Sequence, residues 1–172
     1  MRPAFSALVL ALLVAACQPG GDAPAPVAAA GPGPIKEVRS ADDLRRDLSA
    51  VRAELVVVNF WATWCPPCIV EFPELMRLRE SVDRERVALR FVSVDDARDL
   101  ASVRDFLDRQ GVTDPSYLFT GDRDIIQEFY PRATGAIPVT LVLDADGAVR
   151  DAQVGIVNHD DLLARVERLL AE

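Results

Sequence analysis

Apolar residues fall in short blocks whose spacing alternates between strand and helix. Leu55-Val-Val-Val-Asn-Phe-Trp61 is a nearly continuous apolar run of strand length, the pattern of a strand covered on both faces. Val87-Ala-Leu-Arg-Phe-Val-Ser-Val94 and Val139-Thr-Leu-Val-Leu143 read as two more strands. Asp144-Ala-Asp-Gly147 reads as a turn, with residues 148–155 as the hairpin partner of the third strand. Ser40-Ala-Asp-Asp43 opens a helix in the manner of a capping box, with Asp in place of Glu or Gln, and Leu44, Leu48 and Val51 follow at helical spacing. Cys68, Glu71, Leu75 and Leu78 trace one stripe of a second helix, which Pro73 is expected to interrupt and kink. Leu100, Val103, Phe106 and Leu107 mark a helix ending at Gly111, Ile125, Ile126 and Phe129 a short one, and Leu162, Leu163, Val166, Leu169 and Leu170 the last. The order βα-βα-α-ββα predicts an α/β domain with a central mixed sheet flanked by helices.

The pattern breaks down before residue 35. Arg2 followed by the apolar run from Phe5 to Val14 suits a signal peptide and falls short of the about 20 residues a membrane span needs. The run ends in Val14-Ala-Ala-Cys17, which resembles a bacterial lipobox and implies cleavage before Cys17 with a lipid on its sulfur. Residues 18–34 hold five Pro and four Gly, too little apolar surface to fold, and read as a tether. At roughly 3 Å per residue the tether reaches about 50 Å fully extended. The expected organisation is a lipoprotein signal peptide over 1–16, an anchored linker over 17–34 and a folded domain over 35–172.

Half of the 172 residues are hydrophobic, ample for one core, and the formal net charge is −8. An acidic chain without a basic cluster gives no support for nucleic-acid binding or a polybasic membrane patch. A monomer is expected.

The chemistry lies in Trp64-Cys-Pro-Pro-Cys68, at the C-terminal end of the first long strand, where open α/β sheets place their sites. Two thiols at this spacing can close a small disulfide ring and open it again. If a helix begins here, Cys65 sits at its N-terminus, where the helix dipole favours a thiolate. Cys65 is then the attacking nucleophile and Cys68 the resolving thiol of a redox-active pair. A four-ligand zinc site would need two more Cys or His, and only Cys17 and His159 remain, so no metal or cofactor is expected. Pro67 lacks an N–H that could stabilise the Cys65 thiolate, and neither Pro66 nor Pro67 carries charge. A less stabilised thiolate argues for a weaker oxidant, and so for a reductase.

Val57-Val-Asn-Phe-Trp-Ala-Thr-Trp-Cys-Pro-Pro-Cys68, then Glu71-Phe-Pro73, then Gly135-Ala-Ile-Pro-Val-Thr140 resembles the TlpA/ResA branch of the thioredoxin superfamily over roughly residues 35 to 172. The resemblance implies a thioredoxin fold and an exported, membrane-attached thiol–disulfide oxidoreductase. It also implies that Pro138 is a cis-proline facing the CxxC loop, and that the backbone of Ile137 pairs with an incoming peptide. Trp64, Pro66, Pro67 and Ile137 are the expected partner-contacting residues, while Trp61 is expected in the core.

Glu71 shares a stripe with Cys68, Leu75 and Leu78, so it is expected to face the interior. Burial would raise its pKa and let it hand over protons near neutral pH. ResA-like members carry Glu at this position, which implies a part in tuning the thiols. The bland alternative is a helix N-terminal Glu complementing the dipole. Asn59 stands where classical thioredoxins have a buried Asp, which leaves Glu71 as the nearest candidate proton partner. His159 is expected to be a cap-region residue without a catalytic part.

The leading function is reduction of protein disulfides, with apocytochrome c or copper-centre assembly proteins as clients by resemblance. Reducing work outside the cytoplasm needs electrons, which implies a membrane-embedded thiol donor. Expected placement is a membrane-anchored lipoprotein facing the periplasm, the outer membrane favoured in a Gram-negative cell because Gln18 is not the Asp that often signals inner-membrane retention. A Cu(I) metallochaperone using Cys65 and Cys68 as soft ligands is the alternative from another class, alongside a disulfide oxidase or isomerase. A peroxidase fits poorly, because Thr63 lies two residues before Cys65 where the peroxiredoxin pattern has three.

Overall fold

The computed structural model describes residues 33–121, 124–133 and 135–172, so Cys17, the expected leader and nearly all of the linker lie outside the described residues. The elements run β1 (Ile35–Val38), α1 (Ala41–Ser49), β2 (Leu55–Trp61), α2 (Pro66–Ser81), β3 (Val87–Ser93), α3 (Leu100–Arg109), β4 (Ser116–Phe119), α4 (Ile125–Phe129), β5 (Val139–Asp144), β6 (Val149–Val154) and α5 (His159–Leu170). A single 3₁₀ turn, Ala97–Asp99, leads into α3.

The sheet has six strands in the order β1-β4-β3-β2-β5-β6. The β1–β4, β4–β3 and β3–β2 pairs are parallel, and β5 and β6 are antiparallel additions. This is the mixed sheet expected from the pattern, extended by two strands that it did not reveal. Both β1 and β4 have four residues, and Lys36 and Glu37 break the apolar run of β1. Such strands carry too little periodicity to announce themselves.

Every residue of β2 is buried, as befits a central strand with helices on both faces. Leu55, Val57 and Trp61 pack on the side of α2, α3 and α5, whereas Val56, Val58 and Phe60 pack on the side of α1 and α4. The strand's period of two therefore puts Asn59 on the α2 side. Above β2 the rings of Trp61, Phe72, Phe91 and Phe106 interlock, with Phe72 stacked on Phe91 at 4.6 Å and edge-on to Phe106 at 4.7 Å. Rings in these arrangements gain about 0.5–1.5 kcal/mol per pair beyond their buried area.

The caps follow local chemistry. Ser40 Oγ accepts from the Asp43 N–H and opens α1. Gly111, at φ 70°, turns the chain after α3 in a conformation that glycine adopts without strain. Helix α2 departs from expectation, because it runs unbroken from Pro66 to Ser81 through Pro73. Pro73 removes one N–H from the ladder, but the buried stripe of Cys68, Glu71, Phe72, Leu75 and Leu78 holds the helix to the sheet on both sides of it.

Candidate active site

Helix α2 begins at the CxxC motif. Cys65 is its N-cap and Pro66 and Pro67 occupy the first turn, where a missing N–H costs nothing. Cys65 and Cys68 are joined by a disulfide, and the Cys68 N–H donates to Cys65 Sγ at 3.3 Å. Because Pro66 and Pro67 offer no N–H, this donor is the first that the helix start supplies. Both cysteines are nearly covered, Cys65 at 3% exposure against 0% for Cys68. The cover of Cys65 includes the Ile137 carbonyl oxygen, 3.8 Å from Cys65 Sγ.

Ile137–Pro138 is a cis peptide bond, and Pro138 is buried directly before β5. β5 lies beside β2, so its start meets the end of the strand that carries the CxxC loop. Trp64 stands out at 64% exposure next to these groups, and Pro66 and Pro67 are exposed as well. A groove of about 650 Å³ has Trp64, Ile137, Asp95, Asp96 and Asp124 among its lining residues.

A buried polar cluster joins α2, β2 and β5. Glu71 is fully covered, and its Oε1 accepts from Asn59 Nδ2 at 2.7 Å while its Oε2 accepts from the Val157 N–H at 3.0 Å. Asn59 Nδ2 also donates to Thr140 Oγ1 at 3.0 Å across the β2–β5 register. Burial raises the Glu71 pKa from 4.5 to about 7, against the opposing pull of its bonds to Val157 and Asn59. Glu71 thus faces the interior, as its place on the stripe with Cys68, Leu75 and Leu78 predicts.

His159 is the first residue of α5, capped by Asn158. Its N–H donates to Glu74 Oε2 at 3.0 Å and its ring contacts Ser81 Oγ at 2.9 Å and Asp160 Oδ1 at 2.6 Å, so it fastens α5 to α2. Trp61 packs in the core with no exposure. Three participants were not singled out as site residues by the residue pattern. Val157 contributes only its backbone, Thr140 is one polar residue inside an apolar strand, and Asp95 follows β3 in a loop. Asp95 was discoverable from its place after a strand's C-terminal end, the same edge that bears Cys65.

Among the described residues no group of three or more His, Cys, Asp or Glu could hold a metal ion, and no helix is long and apolar enough to cross a membrane.

The model of the AhpC/TSA family matches residues 32–152. The thiol-disulfide oxidoreductase ResA of Geobacillus kaustophilus is 30% identical over 71% of this chain and 67% of its own. The thiol:disulfide interchange protein DsbE of Pseudomonas aeruginosa is 32% identical over 74% of this chain and 67% of its own. Among solved structures, a thioredoxin-related protein from Neisseria meningitidis serogroup B superposes with a TM-score of 0.61 at 25% identity, covering 73% of this chain and 91% of that one. The fold, the CxxC disulfide and these similarities agree: this chain belongs to the AhpC/TSA family, as a thioredoxin-like thiol–disulfide oxidoreductase of the ResA/DsbE type.

Proposed function

We propose that this oxidoreductase is exported, tethered to a membrane through Cys17, and reduces disulfides in protein partners. The observation that carries the reading is the Cys65–Cys68 disulfide at the start of α2, facing the Ile137 carbonyl beside cis-Pro138. In the reduced state the Cys65 thiolate attacks one sulfur of a partner disulfide, forming a mixed disulfide and releasing the partner's other thiolate. Cys68 then attacks Cys65 Sγ, the second partner thiolate leaves, and the two electrons of the dithiol have passed to the partner. Glu71, with a pKa near neutrality, takes the proton from Cys68 as that thiol becomes a nucleophile.

Ile137 and Pro138 form the ledge on which the partner's extended backbone lies, and Trp64, Pro66 and Pro67 make the exposed rim it meets. Clients are proteins with cysteine pairs that must be kept reduced outside the cytoplasm, such as apocytochrome c or copper-centre assembly proteins. A membrane-embedded thiol donor returns the pair to the dithiol, and the linker gives the domain its reach to it. Periplasmic placement with the outer membrane favoured completes the reading.

A test is turnover of a protein disulfide such as that of insulin, with dithiothreitol as electron source. The full chain accelerates the reduction, and Cys65→Ser and Cys68→Ser variants lose the acceleration. A wild-type rate no faster than dithiothreitol alone contradicts the reading.

A further inference from the structure

The loop that delivers Cys65 is held by a group with no assigned part in the exchange. Asp95 follows β3 and is buried, at 2% exposure. Its carboxylate accepts from the Thr63 N–H at 3.0 and 3.2 Å, from Thr63 Oγ1 at 2.5 Å and from Ser93 Oγ at 2.6 Å. The Asp95 N–H in turn donates to Ser93 Oγ at 3.0 Å, which closes a small ring. Every contact to the carboxylate comes from a donor, as suits an ionised group that only accepts. Charge-assisted bonds of this kind are about twice as strong as neutral ones.

Thr63 is the second residue before Cys65, and the Cys65 N–H turns back to the Ala62 carbonyl at 3.2 Å. The segment between β2 and α2 is therefore pinned at Thr63 and at the disulfide, with exposed Trp64 held between. No Lys or Arg lies within ion-pairing distance of Asp95 among the described residues, so its charge is met by hydrogen bonds alone. A fixed negative charge in a covered site opposes the formation of a second one nearby.

We propose that Asp95 is a positioning residue of the exchange reaction, which clamps the reacting turn through Thr63 and keeps Cys65 a weakly acidic thiol. This rests on the reading of Cys65 as the attacking sulfur. It accounts for a reducing bias from a second direction, since a disfavoured thiolate makes the dithiol the better electron donor. The other carboxylates on the elements that meet at this turn are Glu71 on α2, Asp96 beside Asp95, and Asp124 before α4, the last two lining the same groove as Asp95. The substitutions below leave all three in place.

The test is the pH dependence of Cys65 alkylation by iodoacetamide in the reduced full chain, read on the Cys65 peptide by mass spectrometry. Asp95→Asn keeps an acceptor for Thr63, and the Ser93 hydroxyl can turn to accept from the new amide. It is expected to shift the alkylation midpoint down and to speed alkylation below that midpoint by at least about threefold. Ser93→Ala removes one donor from the carboxylate, leaves its charge less compensated, and is expected to shift the midpoint up. Opposite shifts support the proposal. Unshifted midpoints, or two shifts in the same direction as a merely loosened loop would give, overturn it. Should Asp95→Asn fail to fold, the direction of the Ser93→Ala shift decides alone. Alkylation needs no partner, so an absence of insulin turnover in the wild type would count against the reductase reading and leave the Asp95 result standing.

Discussion

Asn59 Nδ2 donates to Glu71 Oε1 at 2.7 Å, while the Oδ1 of the same amide is buried without a partner. The amide is thus set for an ionised Glu71 and holds in reserve the acceptor that a protonated one requires. A turn of the amide by half a revolution would offer Oδ1 to a Glu71 hydroxyl, and Thr140 Oγ1 could change from acceptor to donor with it. Asn59 and Thr140 can thus meet either protonation state of Glu71, the turned amide leaving its Nδ2 in the unpartnered place that Oδ1 now holds. The proton transfer proposed for Glu71 needs that tolerance.

The stability of the fold is expected to fall as pH rises through Glu71. Its carboxyl is at about 7 in the folded protein against an ordinary value of 4.5, so the neutral form is the one the fold favours. The contribution is fully present below pH 4.5 and lost as pH rises through 7. The whole shift corresponds to about 3 kcal/mol. Urea unfolding of Glu71→Gln at pH 5 and pH 8 is expected to show a flatter profile than wild type, with the variant relatively more stable at pH 8. The same variant should lose the inflection near pH 7 in Cys65 alkylation, and superimposed curves would remove Glu71 from the proton path.

Replacing Asn59 with Asp places two carboxyls in contact at the Glu71 position. Like charges at this separation cannot both ionise cheaply, so the pair is expected to hold one proton well above pH 7. Unfolding measurements should give Asn59→Asp a stability loss that grows between pH 6 and pH 9, larger than that of wild type. Equal pH slopes would show that the two side chains do not share the site.

Phe72 joins the proton site to the core, since it follows Glu71 and touches the rings of Trp61, Phe91 and Phe106. Phe72→Ala is expected to cost about 3–5 kcal/mol in urea unfolding, the range for a fully buried aromatic. A loss under about 1 kcal/mol would mean that the cluster collapses around the gap.

Trapping gives the clients directly. A Cys68→Ser variant can form the mixed disulfide at Cys65 but cannot resolve it, so partners should remain attached in non-reducing gels and separate on reduction. Cys65→Ser is the control, expected to retain none of them.

Much of this was legible from residues alone, for definite reasons. The run Leu55–Trp61 is long and wholly buried, so its pattern fixes the central strand, and the CxxC after it fixes where α2 starts. Glu71 announced its burial by sharing a helical stripe with Cys68, Leu75 and Leu78. The edge strand β1 did not show, because two of its four residues are charged and its pairing with β4 joins residues far apart in the chain. The continuity of α2 through Pro73 was hidden for a related reason, since tertiary packing overrides a local helix breaker. The bonds from Val157 to Glu71 and from Thr63 to Asp95 start from backbone N–H groups in loops, so no periodicity encodes them.

The reduction potential of the Cys65–Cys68 pair tests the central claim most directly. The full chain is equilibrated in dithiothreitol or glutathione buffers and the dithiol fraction read by alkylation. The absent N–H at Pro67 and the single donor from Cys68 predict a potential in the range of the reducing thioredoxins, about −270 mV. A value near about −120 mV, that of the strong oxidants, would contradict the account.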